Sequence, residues 1–216
     1  MLHMDFSQRV VIDTHQSEWL ASPMPGVWRK LLAREEAEGG HATSIVRYDP
    51  GSSFKRHEHP GGEEILVLKG TFSDNYGDFP AGTYFRNPPG TGHAPASEDG
   101  CLLLVKLHQF QAGDDTQLSI DTKASADWKA VGNGVEVLDL HAFGQEQVRM
   151  ERWPAGTKGS VHSHPGGEEV YVLSGCWQDE HGSYPTGTWL RQAPGSSHTP
   201  TAEEDTLLWV KCGHLG

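Results

Sequence analysis

An octapeptide written twice constrains this chain more than anything else in it. His57-Glu58-His59-Pro60-Gly61-Gly62-Glu63-Glu64 returns 105 residues later as His162-Ser163-His164-Pro165-Gly166-Gly167-Glu168-Glu169. Each copy leads into an apolar run that ends at Gly70 or Gly175, and ten of the fourteen positions from His57 to Gly70 match those from His162 to Gly175. Thirty residues beyond Glu63 and Glu168 stands another histidine, His93 or His198. Similarity at a fixed period marks a repeated folding unit. The 216 residues therefore divide into two units of about 105, each large enough for a small core of its own. The expected division is 1–112 and 113–216, with the polar stretch from Gln111 to Ser125 as the linker. The offset holds without insertion from Gly51 to Lys106, which map to Gly156 and Lys211. Upstream of Gly51 the register is lost and at least one insertion is needed.

The local pattern is all-β. Apolar residues make up only 36% of the chain while Gly (26) and Pro (13) are plentiful, as expected of short strands joined by tight turns. Val27 to Arg34 reads as a strand, with a short helix over Leu31 to Glu38 as the alternative. From Ala42 to Tyr48 the types alternate, placing Ala42, Ser44, Val46 and Tyr48 on one face. Ser52 to His59 is expected to be a strand, because two histidines two residues apart then share a face. Pro60-Gly61-Gly62 reverses the chain, and Glu63 returns with Ile65 and Val67 on one side, Glu64 with Leu66 and Leu68 on the other. Both sides being apolar, neither faces open water, which fits a barrel wall covered from outside.

Three imidazoles and one carboxylate at corresponding places in both halves propose a metal site twice. A divalent transition metal is well served by neutral imidazole nitrogens and one carboxylate oxygen. His57, His59, Glu63 and His93 form the first candidate set, and His162, His164, Glu168 and His198 the second. Glu63 is chosen over Glu64 because strand parity puts Glu64 on the opposite face. No catalytic residue beyond these sets is assigned. The other histidines, His41, His108, His141 and His181 among them, read as surface or satisfied core positions. Cys176 shares parity with Glu168 and could look into the second site, although a buried small hydrophobe is the simpler reading. Arg86 and its counterpart Arg191 either orient an anionic ligand or form structural ion pairs. Trp128, Trp153, Trp177, Trp189 and Trp209 read as packing residues.

Charge and composition exclude several functions. A formal net charge of -12 leaves nothing to neutralise a phosphate backbone, so nucleic acid is not an expected partner, and anionic membrane surfaces are disfavoured too. No apolar run approaches a membrane span and the first residues carry no signal-peptide pattern, so a cytoplasmic protein is expected. Three widely spaced cysteines suit a reducing compartment rather than a disulfide framework.

The motifs resemble those of a known superfamily. Gly51, His57, His59, Glu63 and Gly70 are spaced like the first motif of the cupins, and Gly82, Pro88, Gly90 and His93 like the second, with Ser97 where asparagine is common. Gly156, His162, His164, Glu168 and Gly175, then Gly187, Gly195 and His198, repeat both; Ala193 and Ala202 depart from the pattern at turn and supporting positions. Within the superfamily, the His-Pro-Gly-Gly-Glu-Glu turn, Tyr76 to Thr83 and Asp99-Gly100-Cys101 look most similar to the cupin domain of ChrR-type anti-sigma factors. The resemblance implies two tandem cupin jelly-roll barrels holding one divalent metal per domain, zinc first, with iron, manganese or nickel as alternatives. It implies a small-molecule or oxidant sensing and regulatory module. Sigma-factor binding is not implied, because the His-x3-Cys-x2-Cys signature of the helical sigma-gripping domain has no counterpart in these residues. The alternative is an iron- or manganese-dependent dioxygenase acting on a small diketone or aromatic ketone. A small-molecule ligand of unassigned identity and a homodimer are the expected partners.

Overall fold

The structure is a computed structural model describing every residue except 37 and 38. It contains strands and turns and no helix among the described residues. The expected strands Val27–Arg34 and Ala42–Tyr48 form with those bounds. In the helical alternative, Leu31 to Arg34 are strand, whereas Ala37 and Glu38 lie outside the described residues.

The chain forms two compact units, Met1–Met4 with Glu18–Ala124 and Asp5–Ser17 with Ser125–Gly216. In the first, the main sheet runs in the order Leu118–Asp121, Thr83–Asn87, Glu63–Asp74, Cys101–Leu107, Ala42–Tyr48, Val27–Arg34, Leu20–Ala21. In the second, the order is Val10–Asp13, Thr188–Gln192, Glu168–Ser174, Thr206–Cys212, Glu146–Trp153, Val135–Phe143, Lys129–Gly132. All of these pairings are antiparallel. The two orders correspond strand for strand, so the duplication is structural as well as sequential.

The arms depart from the expected division at 112. Leu118–Asp121 lies within the stretch read as a linker, yet it is a strand paired with Thr83–Asn87 of the first unit. Val10–Asp13 pairs with Thr188–Gln192 of the second unit. Each repeat thus contributes its first strand to the sheet built by the other repeat. The sequence carries the signal, since Ile12-Asp13-Thr14 returns as Ile120-Asp121-Thr122 at an offset of 108 rather than 105.

Register upstream of Gly51 is likewise kept further than expected. Thr43 faces Lys106 and Val148 faces Lys211, so the offset of 105 extends through Ala42–Tyr48 and Glu146–Trp153. Preceding strands correspond at 108, and both bulge at matching places, Leu31/Ala33 and Asp139/His141. The insertion is therefore confined to the hairpin after Arg34.

Gly70 and Gly175 end the motif for a steric reason. Both have left-handed backbone, and a Cβ would come within 2.1 Å of the Gly100 carbonyl oxygen or 2.4 Å of that of Asp205. Only glycine lets the chain bulge this close to its neighbour. The cores differ in filling. Ile65, Val67, Phe72, Phe85 and Leu103 pack in the first unit, while Trp153 and Trp177 stand in the second where the first has Tyr48 and Phe72. Two further tryptophans, Trp189 and Trp209, are fully buried, and Trp128 lies under the Arg152 guanidinium, 3.6 Å from ring centre to Cζ.

Candidate metal centres

The first histidine pair is placed by two short strand pieces rather than the single strand expected from Ser52 to His59. Ser52–Ser53 and His57–Glu58 are strand and the residues between are not. His57 pairs directly with His93, and His162 with His198, which puts one ligand of each motif side by side. The turn then locks the second histidine. Gly62 N–H donates to the His59 carbonyl (3.2 Å), Gly90 N–H donates to the same oxygen (3.2 Å), and His59 N–H donates to the Thr91 carbonyl (2.8 Å). In the other unit Gly167 and Gly195 N–H groups do the same to His164, at 3.0 and 2.8 Å. The glycines of the two motifs meet on one backbone carbonyl, so both motifs are needed to aim one imidazole.

Each candidate set converges. The donor atoms of His57, His59, Glu63 and His93 lie within 4.8 Å of one another, as do those of His162, His164, Glu168 and His198. In the first, Glu63 Oε2 is 3.3 Å from His59 Nε2 and 3.4 Å from His93 Nε2. In the second, His198 Nε2 is 3.1 Å from His164 Nε2 and 3.2 Å from His162 Nε2, and Glu168 Oε2 is 3.5 Å from His164 Nε2 and 3.8 Å from His198 Nε2. Donors bound about 2.1 Å from one ion stand roughly 3.0 Å apart at right angles and roughly 3.4 Å apart in a tetrahedron. The observed separations overlap that range and extend to 3.8 Å.

The tautomers also fit a cation. Nδ1–H of His57 donates to the Lys55 carbonyl (3.0 Å), that of His93 to Asp74 Oδ2 (2.9 Å), and that of His59 to Thr91 Oγ1 (3.2 Å). Thr91 can accept because its own hydroxyl donates to the Pro88 carbonyl (2.7 Å). With Nδ1 protonated, every Nε2 presents a lone pair to the centre. His59 Nε2, His93 Nε2 and Glu168 Oε2 are buried and make no hydrogen bond. Lone pairs facing one another in a buried space are costly unless a cation sits between them, so the donor set suits a divalent metal.

Burial sets the ionisation. It pushes His59 and His164 down to about 3, with the neighbouring imidazoles adding to the effect. It raises Glu63 to about 7 against the Asn87 amide, which donates to Glu63 Oε2 at 3.3 Å, and raises Glu168 to about 8. Burial also lowers His93 and His198, opposed by Asp74 and Asp179. The histidines are ready as neutral ligands, and each carboxylate lacks the charge that would hold it ionised.

Asp74 and Asp179, one offset apart, were not singled out from sequence although the repeat marks them. Their side chains are nearly inaccessible and each accepts from the third histidine's Nδ1–H, at 2.9 and 3.3 Å. Such a carboxylate fixes the ring and raises its basicity. Asp179 is held further by Gln192 and Tyr184, which donate to it, and Arg9 donates to both of those side chains.

Arg86 is structural: its side chain is fully buried, donates to Glu64 (3.0 Å) and Asp114, and lines neither cavity. Arg191 is likewise buried and donates to the Asp5 carbonyl at 3.0 Å. Cys176 is not among the residues lining the second cavity, and its thiol lies 3.9 Å from the Trp177 carbonyl. The Cys212 thiol instead stands 3.7 Å from Glu168 Oε1. His108 lines the first cavity, a placement that parity could not give because its backbone is left-handed.

The units differ in what surrounds the four donors. A cavity of about 370 Å³ in the first unit is lined by the whole candidate set and by the predicted face Ala42, Ser44, Val46 and Tyr48. A cavity of about 630 Å³ in the second touches His162 and Glu168, with Arg149, Glu151 and Lys158 giving it a polar lining. Arg149 Nε donates to Glu151 Oε1 (2.6 Å), and Trp153 Nε1 donates to Glu151 Oε2 (2.8 Å).

The profile of the ChrR Cupin-like domain matches residues 7–111 and again 116–216. The chain belongs to this family and carries two copies of its domain, each a cupin jelly roll. Among solved structures it is similar to a provisionally assigned dioxygenase of Nostoc punctiforme PCC 73102, with 17% identity, 97% of this chain and 84% of that one covered, and a TM-score of 0.80. It also resembles Ylba of E. coli, with 12% identity, 98% and 93% coverage and a TM-score of 0.74. Oxalate decarboxylase of Bacillus subtilis, described with Mn(II) centres, follows at 13% identity, 95% and 77% coverage and a TM-score of 0.67. At such identities the likeness establishes the shared fold. No curated relative matches the sequence. No helix among the described residues is long and apolar enough to cross a membrane.

Proposed function

We propose that the first barrel is the working centre, a metal-dependent oxygenase site for a small organic molecule, and that the second barrel holds a metal mainly for structure. One observation carries this reading: all four candidate ligands of the first set line one cavity of about 370 Å³, whose wall also includes Val27, Val46, Phe54, Ile65 and Leu103. That volume lies at the lower end of the range of small-molecule sites. His57, His59, Glu63 and His93 would hold the ion, and His162, His164, Glu168 and His198 its counterpart. A bound divalent metal supplies Lewis-acid polarisation and, when it is iron or manganese, the redox capacity for oxygen chemistry. The protein contributes neutral imidazoles, one buried carboxylate that offsets part of the metal's charge, and apolar walls that exclude water.

A second reading follows from the family. A ChrR-like module would hold zinc in the first site and respond to a ligand or oxidant without turnover, as a regulator lacking sigma-factor binding. Elemental analysis of protein purified without an affinity tag, followed by oxygen uptake on small diketones and aromatic ketones, separates the two. The oxygenase reading expects iron or manganese and uptake abolished by His59→Ala but retained in His164→Ala. Stoichiometric zinc without oxygen uptake would overturn it in favour of the sensor.

A further inference from the structure

Two positions at which the repeats differ give the first cavity polar groups that the second lacks. Ser44 lines the first cavity; it is 4% exposed and its Oγ has no hydrogen-bond partner among the described residues. A buried hydroxyl in that state is costly until a ligand meets it. Its counterpart one offset on is Arg149, which Glu151 meets at 2.6 Å. His108 also lines the first cavity, half-buried, and its imidazole makes no hydrogen bond among the described residues. Its backbone is left-handed, with φ at 57°, and Gly213 stands at the same place in the second unit with φ at 76°. Both residues donate their backbone N–H to the carbonyl of the second turn glycine, Gly62 or Gly167, at 3.0 Å. Glycine therefore suffices for this backbone, and the first barrel keeps an imidazole there against a conformational cost.

We infer that Ser44 and His108 recognise the ligand of the first cavity, a compact molecule with an apolar body and a hydroxyl or carbonyl oxygen at each end. This names the ligand class of the centre proposed above and rests on that reading. The His108 ring lies against the metal turn: a Cβ on Gly61, between His59 and Glu63, would stand 2.5 Å from its Nδ1. Ser44 is set further along the wall, facing Val105, three residues before His108, so the two stand roughly 10 Å apart along the strand direction. Val27, Val46, Phe54, Ile65 and Leu103 line the same cavity and receive the apolar body. An imidazole donates or accepts according to its tautomer and a hydroxyl does both, so each suits an uncharged oxygen. A ligand reaching both is held lengthwise, with one end beside the turn that carries His59 and Glu63.

The test is calorimetric titration of the metal-loaded full chain with para-benzenedimethanol against para-methylbenzyl alcohol, and with terminal hexanediol against hexanol, metal content being measured on each sample. A second hydroxyl costs desolvation, so a cavity without a partner for it prefers the mono-alcohol. The wild type is expected to bind each diol about fivefold more tightly than its mono-alcohol, as one net hydrogen bond gives. Ser44→Ala reverses the preference. His108→Gly reverses it too, with the metal content kept and the unfolding midpoint no lower, because glycine takes the left-handed backbone without strain. His108→Asn, which tolerates that backbone and keeps a polar head, retains part of the preference. Either Ser44→Ala or His108→Gly keeping the preference overturns the inference. So does a His108→Gly variant that loses metal and stability together, which marks the ring as packing for the turn. A metal-loaded wild type that does not prefer the diols, or binds neither alcohol, overturns it and leaves the metal centre standing. A wild type whose first site takes up no divalent metal overturns the centre itself, and the ligand assignment with it.

Discussion

Asp74 offers the sharpest test of how the first centre is built. It accepts from His93 Nδ1–H at 2.9 Å with both side chains at most 3% exposed, so the bond is charge-assisted and screened from water. Hydrogen bonds to charged groups contribute about 1.5–3 kcal/mol, and a neutral acceptor retains roughly half of that. Asp74→Asn should therefore cost about 0.8–1.5 kcal/mol of metal binding, a four- to twelvefold rise in Kd. Asp74→Ala leaves the Nδ1–H without its partner and should cost roughly 10- to 100-fold. Competition against a chromophoric chelator measures both, in a His164→Ala background so that only the first site is counted. Asp179→Asn in the reciprocal background should cost less, because Tyr184 and Gln192 also hold that carboxylate. Unchanged metal affinity in Asp74→Ala would refute the reasoning. A loss of metal-free stability that accounts for the whole effect would refute it as well, since a packing role predicts that pattern.

Two further outcomes follow. Glu63 and Glu168 are raised by burial to about 7 and about 8 from an ordinary 4.5, so the metal-free fold binds protons that the unfolded chain has released, and its stability falls as pH rises through these values. His59 and His164, lowered to about 3 from 6.5, act in the opposite window: their contribution is complete above 6.5 and is lost as pH falls toward 3. A cation removes the carboxylate cost, so chelation should lower Tm more at pH 8.5 than at pH 6; a pH-independent difference by calorimetry would count against ionised carboxylates in the sites. Ile12→Pro should lower hydrogen-exchange protection of the Thr188–Gln192 amides that face Val10–Asp13 while sparing Thr83–Asn87, and Ile120→Pro should do the reverse, because proline cannot serve in either ladder. Equal loss in both strands from either variant would contradict the exchange of first strands.

Three of the four donors in each candidate set were legible in the sequence because they are local, and the fourth, His93 or His198, because it recurs at the same offset. Two histidines two residues apart, a turn of Pro-Gly-Gly and a glutamate beyond it are held together by a few bonds of chain, and repetition at one offset removed the ambiguity of each alone. Strand parity did the same for the cavity face, Ala42 to Tyr48, since alternate side chains must share a side. What needed the tertiary structure was everything that depends on which strands become neighbours. Parity assigns a residue to a face but does not say what it meets there. Asp74 behind His93 and Cys212 beside Glu168 are meetings between distant segments. The arms show the same limit: Ile12-Asp13-Thr14 and Ile120-Asp121-Thr122 reveal a repeat, yet hydrogen bonding between remote strands alone decided that each completes the sheet of the other half.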